Sequence, residues 1–380
     1  MKILFWISIG LILYVYIGYP IVLFILAKLK RIFVRKKKYE PYFPGVTIVI
    51  AALNEESHIK SRILNCLELD YPAEKLEILI GSDGSSDRTV EIANRYRERG
   101  VVALDFKENR GRATVHNDCI ANAKHGILLF TDAETVFEKD FLQKTMIHFQ
   151  NPKIGCVVGK LLYKTSESSI SQSEGTYLKY EIKLKKWESD LGIMTFGIGA
   201  CMAIRKALIT PLKPIDDVDF TSIQDCILQN KKVLFESSAI AYDSPPSSVK
   251  GEYKSRIRIT SKNLAGTVAK WKILNWFKHP FAAFSIISHR ILKWFTPYFM
   301  ILAFISNILI IDELLVFQII FGLQVLYYLF VLIGYATQNK KIKLPMSGIA
   351  FSFFIASAGM FVGVLKGIFG MAPASYVQKD

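Results

Sequence analysis

Residues 127–134 read Ile-Leu-Leu-Phe-Thr-Asp-Ala-Glu, a run of apolar strand formers that ends on two carboxylates. Asp132 and Glu134 stand two apart, so an extended chain points both to one side, where they can share a cation. A buried strand that delivers paired carboxylates to its C-terminal end can hold a divalent metal against a phosphate. Oxygen ligands of this kind suit Mg²⁺ or Mn²⁺. Acids and amides recur at comparable places, Asn54-Glu55 after one apolar run and Asp83 after another. One acidic loop is an ordinary solvated turn or helix cap. Three that converge on one edge of a sheet form a site.

The elements that must position them follow a repeating pattern. Residues 46–53 form an apolar strand of the buried parallel type, followed by a helix with Ile59, Ile63 and Leu67 at helical spacing. A second strand over 77–82 runs into Asp83-Gly84-Ser85-Ser86-Asp87, where Ser85 or Ser86 is expected to cap a helix over 87–98. A third strand over 101–106, a helix over 112–124 and the strand ending at Asp132 complete the pattern. Strand and helix in alternation predict a parallel α/β sheet, whose ligands bind at the C-terminal strand ends. Beyond it, strands are expected at 155–163, 200–205 and 233–242, with a polar helix over 168–189. These suggest a mixed sheet edge that faces an acceptor. No G-x-G-x-x-G follows the first strand and no G-x-x-x-x-G-K-[ST] occurs, so a cation held by carboxylates, not a glycine loop, is expected to neutralise phosphate.

Residues 3–27, 295–311, 314–337 and 344–365 contain no Asp, Glu, Lys or Arg. Each is near the length of about 20 residues that a helix needs to cross a bilayer. The first is too long for a signal-peptide core and lacks a small-x-small cleavage site. The basic residues Lys28, Lys30, Arg31, Arg35, Lys36, Lys37 and Lys38 that follow it predict a cytoplasmic flank, as does the loop Lys340-Lys341-Ile342-Lys343. The hydrophilic middle then faces the cytosol and the C-terminus lies outside. Residues 276–294 mix Trp276, Phe277, Phe281, Phe284, Ile287 and Trp294 with Lys278, His279, His289, Arg290 and Lys293, the composition of an interfacial amphipathic helix. The net charge of +15 is grouped beside these segments. It points to membrane lipid as a partner, not to nucleic acid, for which no motif is present. The five scattered cysteines read as small core residues, and the six histidines show no metal spacing: His116 reads as a helix residue and the rest as surface or interface groups.

Four ordered motifs carry a resemblance: Ala51-Ala52-Leu53-Asn54-Glu55-Glu56, Ser82-Asp83-Gly84-Ser85-Ser86-Asp87, Asn109-Arg110-Gly111-Arg112 and Phe130-Thr131-Asp132-Ala133-Glu134. Together they resemble the family 2 glycosyltransferases of the GT-A fold, and Gly197-Ile198-Gly199-Ala200-Cys201-Met202-Ala203-Ile204-Arg205 is similar to their glycine-rich acceptor-side strand. The resemblance spans residues 45–260. It implies the α/β class: a GT-A nucleotide-sugar-binding domain, with a mostly parallel, mixed sheet flanked by helices, plus α-helical transmembrane segments. It implies that Ala51, Asn54 and Glu55 line a nucleotide pocket and that Asp83 meets the uracil edge. Arg110 or Arg112, the latter where the family has lysine, would sit near the diphosphate. Asp132 would bind the metal, with Glu134, where the family more often has Asp, reaching it directly or through water. A general-base aspartate is expected at Asp219, with Val218 where the family has an acid, and with Asp216 and Asp217 as competitors. Gly199 and Ala200 would face the acceptor. Arg256 and Arg258, followed by Lys262, read either as a basic face near lipid or as a diphosphate clamp.

The expected domains are an N-terminal transmembrane helix and basic flank over 1–40, a cytoplasmic catalytic domain over 41–265, an interfacial segment over 266–294 and three C-terminal transmembrane helices over 295–380. The expected protein is an inverting, metal-dependent glycosyltransferase of the cytoplasmic membrane. It would move a sugar from a nucleotide sugar, UDP-linked by preference, to a lipid-linked sugar or glycan acceptor, for polysaccharide or cell-envelope synthesis. A processive synthase that secretes its polymer, a polyprenyl-phosphate glycosyltransferase and an inactive membrane scaffold are the alternatives. The Gln-x-x-Arg-Trp motif of cellulose and hyaluronan synthases is not found, which weighs against the first. Intact acids at every expected strand end weigh against the last. A transporter would need ionisable groups at mid-membrane, which the four apolar stretches lack.

Overall fold

The computed structural model describes residues 1–33, 40–163, 169–244, 248–338 and 345–373. The basic residues Arg35 to Lys38, the loop over 340–343 and the C-terminal tail lie outside the described residues. The strands are β1 (Val46–Ala52), β2 (Leu76–Asp83), β3 (Val101–Phe106), β4 (Ile127–Thr131), β5 (Val136–Phe137), β6 (Ile154–Tyr163), β7 (Met202–Arg205) and β8 (Lys232–Asp243). They form one eight-stranded sheet in the order β3-β2-β1-β4-β7-β6-β8-β5. The first four are mutually parallel, while β7 runs antiparallel to both β4 and β6. This is the expected mixed sheet. Strand order reverses between β1 and β4, and a crevice at such a switch point is where open α/β sheets bind ligands. Val46, Ile48, Val49 and Ile50 of β1 and Leu128, Leu129 and Phe130 of β4 are fully buried because helices cover both faces.

The helices are α1 (Lys2–Phe33), α2 (Ile59–Leu67), α3 (Thr89–Asn94), α4 (Arg112–Asn122), α5 (Phe141–Met146), α6 (Ser169–Leu191), α7 (Val218–Leu228), α8 (Val249–Ala269), α9 (Pro280–Trp294), α10 (Thr296–Ile308), α11 (Leu315–Thr337) and α12 (Pro345–Ile368). α3 is shorter than expected and starts at Thr89, where the Asp87 carboxylate, not Ser85 or Ser86, accepts the Thr89 N–H at 3.0 Å. α1, α11 and most of α12 are long and apolar enough to cross a membrane. The expected span over 295–311 differs. α10 has only 13 residues, about 20 Å at 1.5 Å per residue and short of the ~30 Å hydrocarbon core. It follows α9 across a 57° bend, so the two make one broken span or a re-entrant pair.

Residues 276–294 also depart from a simple interfacial helix. Trp276, Phe277 and Phe281 are exposed, but His289, Arg290 and Lys293 are buried. The reason lies in α6, where Glu181 and Glu188 stand seven residues, two helical turns, apart on one face. Glu188 Oε1 accepts hydrogen bonds from Tyr19 of α1 at 2.7 Å and Ser285 at 3.3 Å, and pairs with His289 Nδ1 at 2.6 Å. Lys293 pairs with Glu181. Burial alone would raise both carboxyls, but the cations around them hold both below the ordinary range. One buried ionic cluster therefore joins α1, α6 and α9.

A second joint binds α8 to α12. Gly359, Gly363 and Gly367 recur every four residues, a stripe that lets helix backbones approach closely. A Cβ on Gly363 would stand 2.7 Å from Thr260 Cβ and 3.0 Å from the Ile257 carbonyl oxygen. Gly363→Leu is expected to force the helices apart at a cost of about 1–3 kcal/mol or more, seen as a lower melting midpoint in detergent. Glu188→Ala leaves His289 and Arg290 short of a counter-charge and is expected to cost about 3–5 kcal/mol, with Glu188→Gln milder in the same assay. Unchanged midpoints would contradict both joints.

Candidate active site

The loops after β1 and β2 are laced together. Asn54 adopts a left-handed conformation with φ of 54°, which its short amide tolerates. Its N–H donates to Ser85 Oγ at 3.1 Å, and its side-chain oxygen accepts the Ser86 N–H at 2.9 Å. The Glu55 N–H donates to Thr89 Oγ1 at 2.8 Å. Ala51, in register with Gly81 of β2, is half-buried beside this loop.

Asp83 is buried, and its oxygens accept the backbone N–H groups of Arg110 at 2.7 Å and Gly111 at 3.0 Å. The aspartate expected at a uracil edge thus also fixes the loop that leads into α4. Gly84 permits this, because a Cβ there would stand 2.8 Å from the Asn109 nitrogen, at a φ of +77°. The loop sends its two arginines different ways. Arg110 stacks on Phe106 at 4.1 Å and pairs with Asp118 at 2.5 Å, whereas Arg112 pairs with Asp132.

At the end of β4, the ligand atoms of Glu55, His58 and Glu134 lie within 4.8 Å of one another. Burial raises the Glu55 carboxyl; the His58 ring, 3.0 Å away, opposes this, and the charges of Glu134 and Asp132 add to it. A cluster of two carboxylates and an imidazole is a group that could hold a divalent cation. The sequence reading missed His58 as a member. The available signal was Glu55-x-x-His58, one turn apart at the start of α2.

On the other side of Arg112 lies the edge that carries Gly199, Asp217 and Asp219. The Gly199 N–H donates to Asp219 Oδ2 at 3.0 Å. Gly199 and Ala200 belong to a short 3₁₀ turn, so the strand expected from residue 200 begins at Met202. Asp217 faces Lys262 Nζ at 3.2 Å and an Arg258 guanidinium nitrogen at 3.6 Å. Asp216 accepts the Lys213 N–H at 2.8 Å within a turn. Arg256 departs from its neighbour, pairing with Glu252 at 2.5 Å and packing beside Gly359. Burial pushes the Asp219 carboxyl up, and the Asp217 charge adds to this against the pull of Arg112, the Gly199 N–H and Arg258. His116, buried against Phe130, is driven down to about 3, by burial first and then by Arg112, and stays neutral.

A mixed sheet with acids gathered on one edge at its switch point, flanked by helices, is the GT-A architecture of glycosyltransferases. Residues 47–211 fit the family model described as Glycosyl transferase family 2. The chain is 26% identical over 221 residues to the poly-beta-1,6-N-acetyl-D-glucosamine synthase of Staphylococcus aureus strain COL, covering 56% of this chain and 53% of that protein. The Staphylococcus epidermidis enzyme of the same name is 26% identical over 224 residues, with the same coverage. The chain therefore spans about half the length of these curated relatives. A solved mannosyltransferase from Pyrobaculum calidifontis, in complex with GDP-Man and Mn²⁺, shares the fold with a TM-score of 0.71 and 18% identity, over 97% of this chain and 99% of that one.

Because the folded state raises the Asp219 carboxyl, it favours the protonated form, and the stability this group contributes is lost as pH rises through the raised value. Asp219→Asn, which keeps an acceptor for the Gly199 N–H, is expected to raise the melting midpoint at pH 7 and to leave it nearly unchanged at pH 4. A lower midpoint at pH 7 would contradict this reading of the site.

Proposed function

We propose that the protein is an inverting, metal-dependent glycosyltransferase that moves a sugar from a nucleotide sugar to a lipid-linked or glycan acceptor at the cytoplasmic face of the membrane. The observation that supports this reading is the position of Arg112. It is paired with Asp132, and its charge also acts on Asp219. The metal-side and base-side carboxylates therefore share one electrostatic neighbourhood at the sheet's C-terminal edge.

In this reading Ala51, Asn54, Glu55 and Asp83 bound the nucleoside end. Asp132, with Glu134, Glu55 and His58, would hold the ion. A bound divalent ion supplies neutralisation of the charge that develops on the leaving diphosphate. Arg112 holds Asp132 in place and contributes positive charge toward the same leaving group. Asp219 accepts the proton of the acceptor hydroxyl while that oxygen attacks the anomeric carbon and the bond to the nucleoside diphosphate breaks. A raised carboxyl suits this proton transfer, since its basicity lies closer to the working pH. Asp217 is the weaker candidate base because Lys262 and Arg258 neutralise it. Arg258, which faces Asp217, is a better candidate for a diphosphate contact than Arg256, which pairs with Glu252.

The likeness to poly-beta-1,6-N-acetyl-D-glucosamine synthases favours a donor carrying N-acetylglucosamine and a role in polysaccharide synthesis, and it keeps the processive reading as the second choice. The positive-inside rule supports a cytosolic catalytic domain. The test is a panel of nucleotide sugars assayed for nucleoside diphosphate release with and without chelator. One UDP-sugar should turn over, with loss on EDTA and recovery with Mn²⁺. Asp219→Asn and Asp132→Ala are each expected to reduce turnover about 10²–10⁴-fold. Turnover untouched in both variants, or no donor used with metal present, would refute the proposal.

A further inference from the structure

Away from the catalytic edge, a cleft of about 170 Å³ opens between residues 192–195, the start of β8 and residues 278–282. Lys231, Lys232, Lys278 and His279 line it, and Ile193, Phe281 and Ala282 give it apolar walls. Among the described residues no carboxylate pairs with Lys231, Lys232 or Lys278. Lys231 Nζ donates to the Pro152 carbonyl at 3.0 Å, and three like charges around one small cleft repel one another and call for an anion.

The height of the cleft along the molecule is set by α1. Lys30, in the last turns of that membrane-length helix, donates to the Leu191 carbonyl at 3.0 Å, and the next residue, Gly192, is part of the cleft wall. A Cβ on Gly192 would stand 4.0 Å from the Lys232 ammonium. The cleft is thus level with the end of a transmembrane helix, where a bilayer places its headgroups.

The surroundings carry a second, independent sign. Trp271, Trp276, Phe277 and Phe281 are all exposed, Phe277 at 99%. Four aromatic side chains lie largely exposed within eleven residues, beside basic ones. At headgroup level the same rings sit where amphipathic aromatics are stable, with their faces among the upper acyl chains.

We propose that this cleft binds the phosphate of an anionic glycerophospholipid from the leaflet facing the catalytic domain. Lys231, Lys232 and Lys278 receive the phosphate, and Trp276, Phe277 and Phe281 embed beside its acyl chains. The bound lipid seats the catalytic domain on the bilayer at a point separate from the transmembrane helices. The proposal rests on the membrane reading of the long apolar helices and not on the reaction. The cleft and the proposed catalytic edge lie close along the chain. Thr195 lines the cleft, and four residues on, Gly199 holds Asp219.

The test uses the full chain in a neutral detergent and follows tryptophan fluorescence on titration with dihexanoyl-phosphatidylglycerol, dihexanoyl-phosphatidylcholine or inorganic phosphate. Phosphatidylglycerol is expected to bind at least tenfold more tightly than phosphatidylcholine, more weakly as salt is raised, and more tightly than inorganic phosphate. The triple variant Lys231→Gln, Lys232→Gln, Lys278→Gln should lose at least tenfold in phosphatidylglycerol affinity, and the matching Lys→Arg triple should retain it. Equal affinity for the two lipids, full affinity in the Gln variant, or phosphate binding as tightly as phosphatidylglycerol would each overturn the proposal, the last in favour of a soluble-anion site. If the Gln variant fails to fold, the lipid selectivity and salt dependence of the unmodified chain still decide it. None of these readings depends on donor turnover.

Discussion

One backbone hydrogen bond, from the Gly199 N–H to the Asp219 carboxylate, sets the relation between the two halves of this site. The carboxylate sits at the start of α7, half-buried and next to a second acid, where burial and Asp217 both favour its neutral form. A single N–H and the cations around it are what keep an ionised form accessible. Arg112 extends this balance to the other side by pairing with Asp132, and Glu55 closes the row with Glu134 and His58. The edge is thus a line of acids separated by a few cations.

The membrane helices are part of the same mechanical arrangement. α8 carries Arg258 and Lys262 toward Asp217 on one face and packs against the glycine stripe of α12 on another. α9 reaches the catalytic domain through Glu181 and Glu188 of α6, and α1 joins that cluster through Tyr19. The basic groups facing Asp217 are therefore held by a helix that packs against a membrane-length one. A buried ionic joint of this kind is costly to break from one side only, which makes the relative placement of domain and membrane segments a built-in property of the chain.

Much of this was legible in the sequence because period and position carried it. The parallel strands over 46–53, 77–82, 101–106 and 127–132 are continuous apolar runs, and their acid-bearing ends converge as the α/β rule requires. Asp219 was separable from Asp216 and Asp217 only by motif spacing; the structure adds that Asp217 is neutralised and Asp216 is committed to a turn. What spacing did not reveal depends on tertiary partners. His289, Arg290 and Lys293 looked like a headgroup-facing stripe, because nothing local indicates that two acids on α6 face them. His58 looked like a surface residue because the cluster it joins needs Glu134, which lies seventy-six positions away. The apolar run over 295–311, which composition alone reads as one span, forms only the 13-residue α10, set off from α9 by a bend at its start.

The central claim is a single displacement assisted by a carboxylate base, and the anomeric configuration of the product tests it most directly. Proton NMR of the first product formed from an α-linked nucleotide sugar should show only the β-linkage. An α-linked product would require two displacements or a front-face reaction, and would contradict the role assigned to Asp219.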